Sequence, residues 1–164
     1  MKPASGLRCM RFVDGPATDV WKPHWYATRT PGKGAVRVQI SVRNDADVPI
    51  SFDIEFRDWP GVGGQYATGP QLRFQPTGVV QVCDGGQWRD IEQYNVGEWL
   101  KVQIDLTEGK GHKDTYSVKL GQAAPITGLK FANNAFTNFN WFGLAGMETK
   151  PGVFYADNIR IERK

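Results

Sequence analysis

Along most of this chain the apolar residues fall at every second position, the period of a β-strand with one covered face. Over residues 35–43, Val36, Val38, Ile40 and Val42 point one way while Arg37, Gln39, Ser41 and Arg43 point the other. No long window places apolar residues at i, i+3, i+4 and i+7, which excludes helices as the organising element. The alternation predicts strands near residues 7–13, 35–43, 50–57, 71–75, 79–83, 87–91, 99–106, 114–120, 127–131, 140–146 and 153–162. Turn signals separate them: Asp14-Gly15, Pro31-Gly32, Asn44-Asp45, Pro60-Gly61, Pro76-Thr77-Gly78, Asp84-Gly85-Gly86, Glu108-Gly109 and Pro151-Gly152. Many short strands at this spacing give a sandwich or a barrel. No linker, repeat or low-complexity tract interrupts them, so one domain over residues 1–164 is expected.

Parity also assigns faces. Phe52, Ile54 and Phe56 go inward, leaving Asp53, Glu55 and Arg57 outward. Leu72 and Phe74 oppose Gln71, Arg73 and Gln75, and Val80 and Val82 oppose Gln81. Leu100, Val102 and Ile104 likewise oppose Lys101, Gln103 and Asp105. Each strand therefore has one wet face, as sheets covered on a single side require. Trp141 and Phe142 are adjacent and both large, which leaves the parity of residues 140–146 open.

Composition narrows the function classes. The net charge is only +3 and no basic run occurs, so nucleic acid is not an expected partner. No apolar run reaches membrane-spanning length, and Met1-Lys-Pro-Ala-Ser-Gly6 lacks the hydrophobic region of a signal peptide. The first strand candidate follows almost at once, which fits a domain excised from a longer, exported chain. Cys9 and Cys83 have no metal-ligand spacing; they either pair in an oxidising compartment or stay as free thiols, the simpler reading. Six tryptophans exceed what one core of this size needs, so at least one is expected at the surface as a binding platform.

The final segment, Val153-Phe154-Tyr155-Ala156-Asp157-Asn158-Ile159-Arg160-Ile161, resembles the closing strand of concanavalin A-like jelly rolls. Gly86-Gln87-Trp88-Arg89-Asp90-Ile91, then Gly97-Glu98-Trp99-Leu100-Lys101-Val102, is similar to a middle region of the same group. The opening, from Gly6 to Pro16 with Trp21-Lys22-Pro23-His24, resembles sandwich modules attached to large secreted bacterial polysaccharide-degrading proteins. The resemblance implies an all-β, two-sheet antiparallel jelly-roll sandwich. Its motifs belong to the fold more than to any one activity.

Catalytic constellations are weak. Asp53-Ile54-Glu55 puts two carboxylates on one face with Cα atoms roughly 6.5–7 Å apart, close enough for their oxygens to reach the ~5–5.5 Å of a retaining glycosidase pair. Laminarinase-type jelly rolls carry their acids on one strand in this way. Here, however, Arg57 stands where the third acid would be, and a guanidinium works against a raised-pKa general acid. The strand motifs of jelly-roll lyases are missing, with His24 and His112 expected in loops. No Gly-x-Ser-x-Gly occurs, and Gly61-Val62-Gly63-Gly64 lacks the Lys of a phosphate loop.

Sugar binding is better supplied. Sugar rings pack their C–H faces on aromatics, and their hydroxyls take carboxylate, amide and guanidinium partners. Asp53, Glu55, Arg57, Gln71, Arg73 and Gln81 form outward rows, with Trp59 and Tyr66 expected at the rim. Trp88 and Trp99 are expected to brace the core edge; Trp21, Trp25 and Tyr26 form a second cluster, read as a plug over one end of the sandwich with a binding site as the alternative. A structural calcium would need Asp14 and Asp157 on neighbouring strands; otherwise Asp157-Asn158 caps a bulge. The expected function is thus a secreted, non-catalytic carbohydrate-binding module that holds a polysaccharide, an acidic one included, for a catalytic domain on a parent chain. A structural accessory domain without sugar binding, and a divergent jelly-roll hydrolase or lyase, are the alternatives.

Overall fold

The computed structural model describes residues 2–16, 19–60, 64–109 and 113–164. Gly61 of the expected Pro60-Gly61 turn, most of the Gly61–Gly64 loop, and His112 lie outside them. The strands are β1 (Met10–Asp14), β2 (His24–Thr28), β3 (Gly34–Asn44), β4 (Phe52–Asp58), β5 (Ala67–Phe74) and β6 (Val79–Asp84). There follow β7 (Gln87–Gln93), β8 (Leu100–Glu108), β9 (Thr115–Leu120), β10 (Ile126–Lys130), β11 (Trp141–Gly146) and β12 (Gly152–Arg163). No helix occurs among the described residues.

Two antiparallel sheets face each other. The back sheet runs β1-β12-β3-β8-β9-β10 and the front sheet runs β2-β11-β4-β5-β6-β7. This is the all-β, two-sheet sandwich that the resemblance implies; alternation and turn signals by themselves left sandwich and barrel open. Inward residues of both sheets meet in one apolar core that includes Val36, Val38, Ile40, Phe52, Ile54, Phe56, Val102 and Ile104. A column of rings crosses it: Phe12 stacks on Phe154 at 4.4 Å, Phe154 on Phe52 at 4.3 Å, and Phe52 on Phe74 at 4.8 Å. The column ties the first and last strands of the back sheet to the centre of the front sheet. Truncating one of these rings to Ala costs about 3–5 kcal/mol.

Three expectations need correction. The strand β2 falls where a loop was expected, and His24 lies on it. β1 starts at Met10 rather than residue 7, leaving Leu7 almost wholly in solvent. β5 starts at Ala67, well before residue 71. Gly69-Pro70 reads as a breaker, yet it sits at an irregularity where the register passes from Glu55↔Gln71 to Arg57↔Thr68. A bulge is where a strand tolerates a proline. Glycine is needed there too, since a Cβ at position 69 would overlap the buried Phe136 ring.

The β2 end is held to the back sheet by an ion pair. Arg29 donates to both oxygens of the buried Glu108, at 2.7 and 2.9 Å, and its guanidinium covers Phe139. The Gly32 N–H donates to the same carboxylate.

Candidate functional site

The outer face of the front sheet is built from alternate residues of six strands. Cross-strand register lines them up in rows. One row runs His24, Ala145, Asp53, Arg73, Gln81 and Asp90. The adjacent row begins Tyr26, Gly143, Glu55 and Gln71. Trp141 pairs with Arg57 in the next. This resolves the open parity of β11: Phe142 and Leu144 are buried in the core, and Trp141, Gly143 and Ala145 face outward.

A cleft of about 490 Å³ lies over β2, β11 and β4. Asp53, Glu55, Arg57 and Gln71 line its polar side, with Trp59 and Tyr66 from the β4–β5 connection. Trp21, His24, Tyr26, Trp141, Ala145 and Met147 complete it. The rings form a continuous arc. Trp21 lies 5.1 Å from His24, His24 stacks on Tyr26 at 6.0 Å, and Tyr26 on Trp141 at 5.6 Å. The Arg57 guanidinium then sits 4.2 Å from the Trp141 ring and 4.0 Å from the Tyr66 ring. A guanidinium held on ring faces keeps its edge donors free for oxygen partners. Its Nη2 donates to Glu55 at 2.6 Å, and Glu55 also accepts from the Thr68 hydroxyl.

The Trp141 indole lies across Gly143, where any Cβ would collide with the six-membered ring. Glycine at 143 therefore sets the floor of the cleft, and the indole in turn braces Tyr26 and Arg57. Trp141 is buried, whereas Trp21, Tyr26 and Tyr66 are each about half exposed. Those three rings are the open stacking surfaces.

The expected binding residues divide into two groups. Glu55, Arg57, Trp59, Tyr66 and Gln71 come together in the cleft. Asp53 lines it but is 2% exposed, because Arg73 caps it through Nε and Nη2 at 2.7 and 2.8 Å and Gln71 adds a third bond. Burial pushes the Asp53 carboxyl up, while the hydrogen bonds from Arg73 and Gln71 pull against it. With both oxygens occupied, Asp53 buttresses the face and has little left for a ligand. Arg73 lies outside the cleft, its guanidinium 4.2 Å from the Trp88 ring. Gln81 is engaged with Gln75 and Asp90.

Two aromatic expectations are overturned. Trp21 and Tyr26 are no plug but one wall of the cleft, and only Trp25 turns inward, edge-on to Phe142. Trp88 does not brace the core edge; it stands on the outer face, 37% exposed. Trp99 packs edge-on to Tyr155 and donates to the Lys2 carbonyl. The signal for β2 was present in the sequence, but inverted. In His24-Trp25-Tyr26-Ala27-Thr28 the outward positions carry rings and an inward one carries only alanine.

Asp14 and Asp157 are not brought together. Asp14 pairs with Gly152, and Asp157 lies five residues further along β12, roughly 17 Å away. Asp157 accepts instead from the backbone N–H groups of Ser5 and Asn158. Asn158 has φ 54° at the β12 irregularity, so the pair shapes a bulge. Among the described residues no cluster of three or more His, Cys, Asp or Glu side chains forms a metal cage. Both thiols are free, Cys83 buried and Cys9 half-buried, and burial pushes the Cys83 thiol up, away from nucleophilic use.

No protein-family model and no curated protein sequence matches this chain. Solved structures do. A sialidase superposes with TM-score 0.71 and 12% identity over 95% of this chain, which spans only 15% of the sialidase. Chicken galectin 2 matches with TM-score 0.58 and 12% identity, covering 84% of this chain and 97% of the galectin. An alginate lyase from Chlorella virus gives TM-score 0.64 and 11% identity over 99% of this chain and 88% of the lyase. At such identities the likeness speaks for the fold alone, and the fold of this chain is the concanavalin A-like jelly roll.

Proposed function

We propose that the chain is a saccharide-binding module that takes its ligand in the cleft over β2, β11 and β4. One observation carries this reading: a guanidinium clamped between two rings stands beside open aromatic faces, on a floor of carboxylate and amide groups. Tyr26, Tyr66 and Trp21 offer surface to the C–H faces of a sugar. Arg57, Glu55 and Gln71 offer donors and acceptors to its hydroxyls. The rings already fix the Arg57 side chain, so ordering it on binding costs little. The pairing of Glu55 with Arg57 and of Asp53 with Arg73 balances charge across the floor, which favours an uncharged or weakly charged ligand over a polyanion.

Neighbours in fold include galectins and polysaccharide lyases, which supports a carbohydrate ligand. We further propose that the module acts outside the cell beside a catalytic domain, raising local substrate concentration for it. The likeness to a small part of a sialidase supports a role as one module among several.

Affinity electrophoresis against plant, algal and bacterial polysaccharides tests the reading. The native protein is expected to be retarded by at least one of them. Tyr66→Ala is expected to weaken that binding by about 2 kcal/mol without lowering the melting temperature. Retardation by none of these polysaccharides overturns the proposal.

A lyase reading has one observation in its favour: His24 and Tyr26, both able to move protons, share the cleft with Arg57. An ultraviolet assay for unsaturated sugar products tests it. Turnover that is abolished by His24→Gln or Tyr26→Phe would replace binding with catalysis.

A further inference from the structure

The row that starts at Tyr26 does not end at the cleft. Tyr26 pairs with Gly143, Gly143 with Glu55, and Glu55 with Gln71. The β5–β6 pairing Leu72↔Val82 sets Gln71 beside Cys83 in the next register step, and Cys83 pairs with Trp88. One line of outward positions thus crosses all six strands of the front sheet, from edge strand β2 to edge strand β7. Five interstrand steps make it roughly 24 Å long, well beyond a disaccharide. Each end carries an exposed ring, Tyr26 at 47% and Trp88 at 37%. Gly143 and Cys83 contribute no protruding side chain, and Glu55 and Gln71 supply polar groups between the rings.

Trp88 is not held in place by the core. Its ring is stacked on Arg73, which Asp53 fixes through two hydrogen bonds. The Asp53–Arg73 pair, silent in the cleft itself, thereby orients a second aromatic platform at the far edge of the same face.

Resting on the saccharide-binding reading, we infer that the site is a track for the interior of a linear polysaccharide, with Trp88 as a distal subsite. The chain runs across the strands from the Tyr26–Tyr66 cleft over Glu55 and Gln71 to Trp88. A short oligosaccharide fills the cleft only; a longer one also stacks on Trp88.

Isothermal titration with β-1,4-linked gluco-, xylo- and glucurono-oligosaccharides of two to six units tests this on the full chain. For the series that binds, affinity is expected to rise about tenfold or more between the shortest and the longest ligand. Trp88→Ala is expected to bind the shortest ligand as the native protein does and to lose the gain for the longest. Trp88→Tyr, which keeps a ring, is expected to recover most of it. Affinity independent of length, or a Trp88→Ala variant that matches the native protein at every length, overturns the track while leaving the cleft reading intact. A Trp88→Ala variant weakened equally at all lengths also overturns it, by making Trp88 a support of the cleft. Absence of binding to every series, together with no retardation by any polysaccharide, removes the saccharide reading and the track with it.

Discussion

The two sheets have outer faces that look alike in sequence and differ in the folded molecule. Both alternate apolar-in with polar-out, and both carry cross-strand ion pairs. On the back sheet Arg37 pairs with Asp105, Gln39 with Gln103, and Lys164 with Asp105. On the front sheet Arg73 pairs with Asp53 and Arg57 with Glu55. The difference lies in the rings. Among the described residues the most exposed aromatics, Trp21, Tyr26, Tyr66 and Trp88, all belong to the front face or its rim. Tyr66 lies on the Arg57 guanidinium and Trp88 on that of Arg73, so the front ion pairs are sheltered from water, while the back pairs are more open. A polar row by itself marks a solvated surface; a polar row roofed by aromatics is the arrangement on which the proposed binding site rests.

The contrast is sharpest in a matched pair of substitutions. Asp53→Ala leaves the Arg73 guanidinium without its bidentate partner in a covered setting, and is expected to lower stability by about 3 kcal/mol. Asp105→Ala removes a carboxylate from an equally well-formed pair whose side chains are 30% and 27% exposed, with an expected loss below about 1 kcal/mol. Urea denaturation midpoints compare the two, and equal losses would break the distinction between the faces. Between these lies Gly143→Ala. Its methyl group displaces the Trp141 indole, at about 2 kcal/mol for overpacking, and ligand binding should fall with it.

A smaller effect concerns acid. Burial alone would raise the Glu108 carboxyl, but the hydrogen bonds from Arg29 and from the Gly32 N–H outweigh it and hold the group below its usual value of 4.5. A depressed folded value means that Glu108 adds stability above about pH 4.5, and that this share is lost as pH falls through the folded value. The native protein should therefore lose thermal stability on acidification, and Glu108→Gln should show a shallower loss from a lower starting point. Since Arg29 follows β2, hydrogen exchange in β2 should quicken before exchange in β4.

Much of the sandwich was legible because its strands keep one wet face, and parity alone then sorts side chains. Phe52, Ile54 and Phe56 against Asp53, Glu55 and Arg57 is such a case, and the structure keeps it. The site was less legible, for two physical reasons. Asp53 and Glu55 are equivalent in a one-dimensional pattern, and only the arrival of Arg73 and Gln71 from β5 seals the first and spares the second. β2 defeated parity because it lies at a sheet edge against the cleft, where rings face out and Ala27 faces in. Trp141 is outward yet buried because Gly143 gives its indole somewhere to lie, a relation across two positions that alternation ignores.

The parallel packing of Tyr26 on Trp141, 20° between planes, has a spectroscopic consequence. Rings held this close share their electronic transitions, so the pair should give a strong near-ultraviolet circular dichroism band. The Arg57 guanidinium, 4.2 Å from the Trp141 ring, places a fixed positive charge against the indole and should shift its emission. Any molecule settling against Tyr26 or Tyr66 would disturb both signals at once. The front face thus carries its own optical label, readable in solution without a dye.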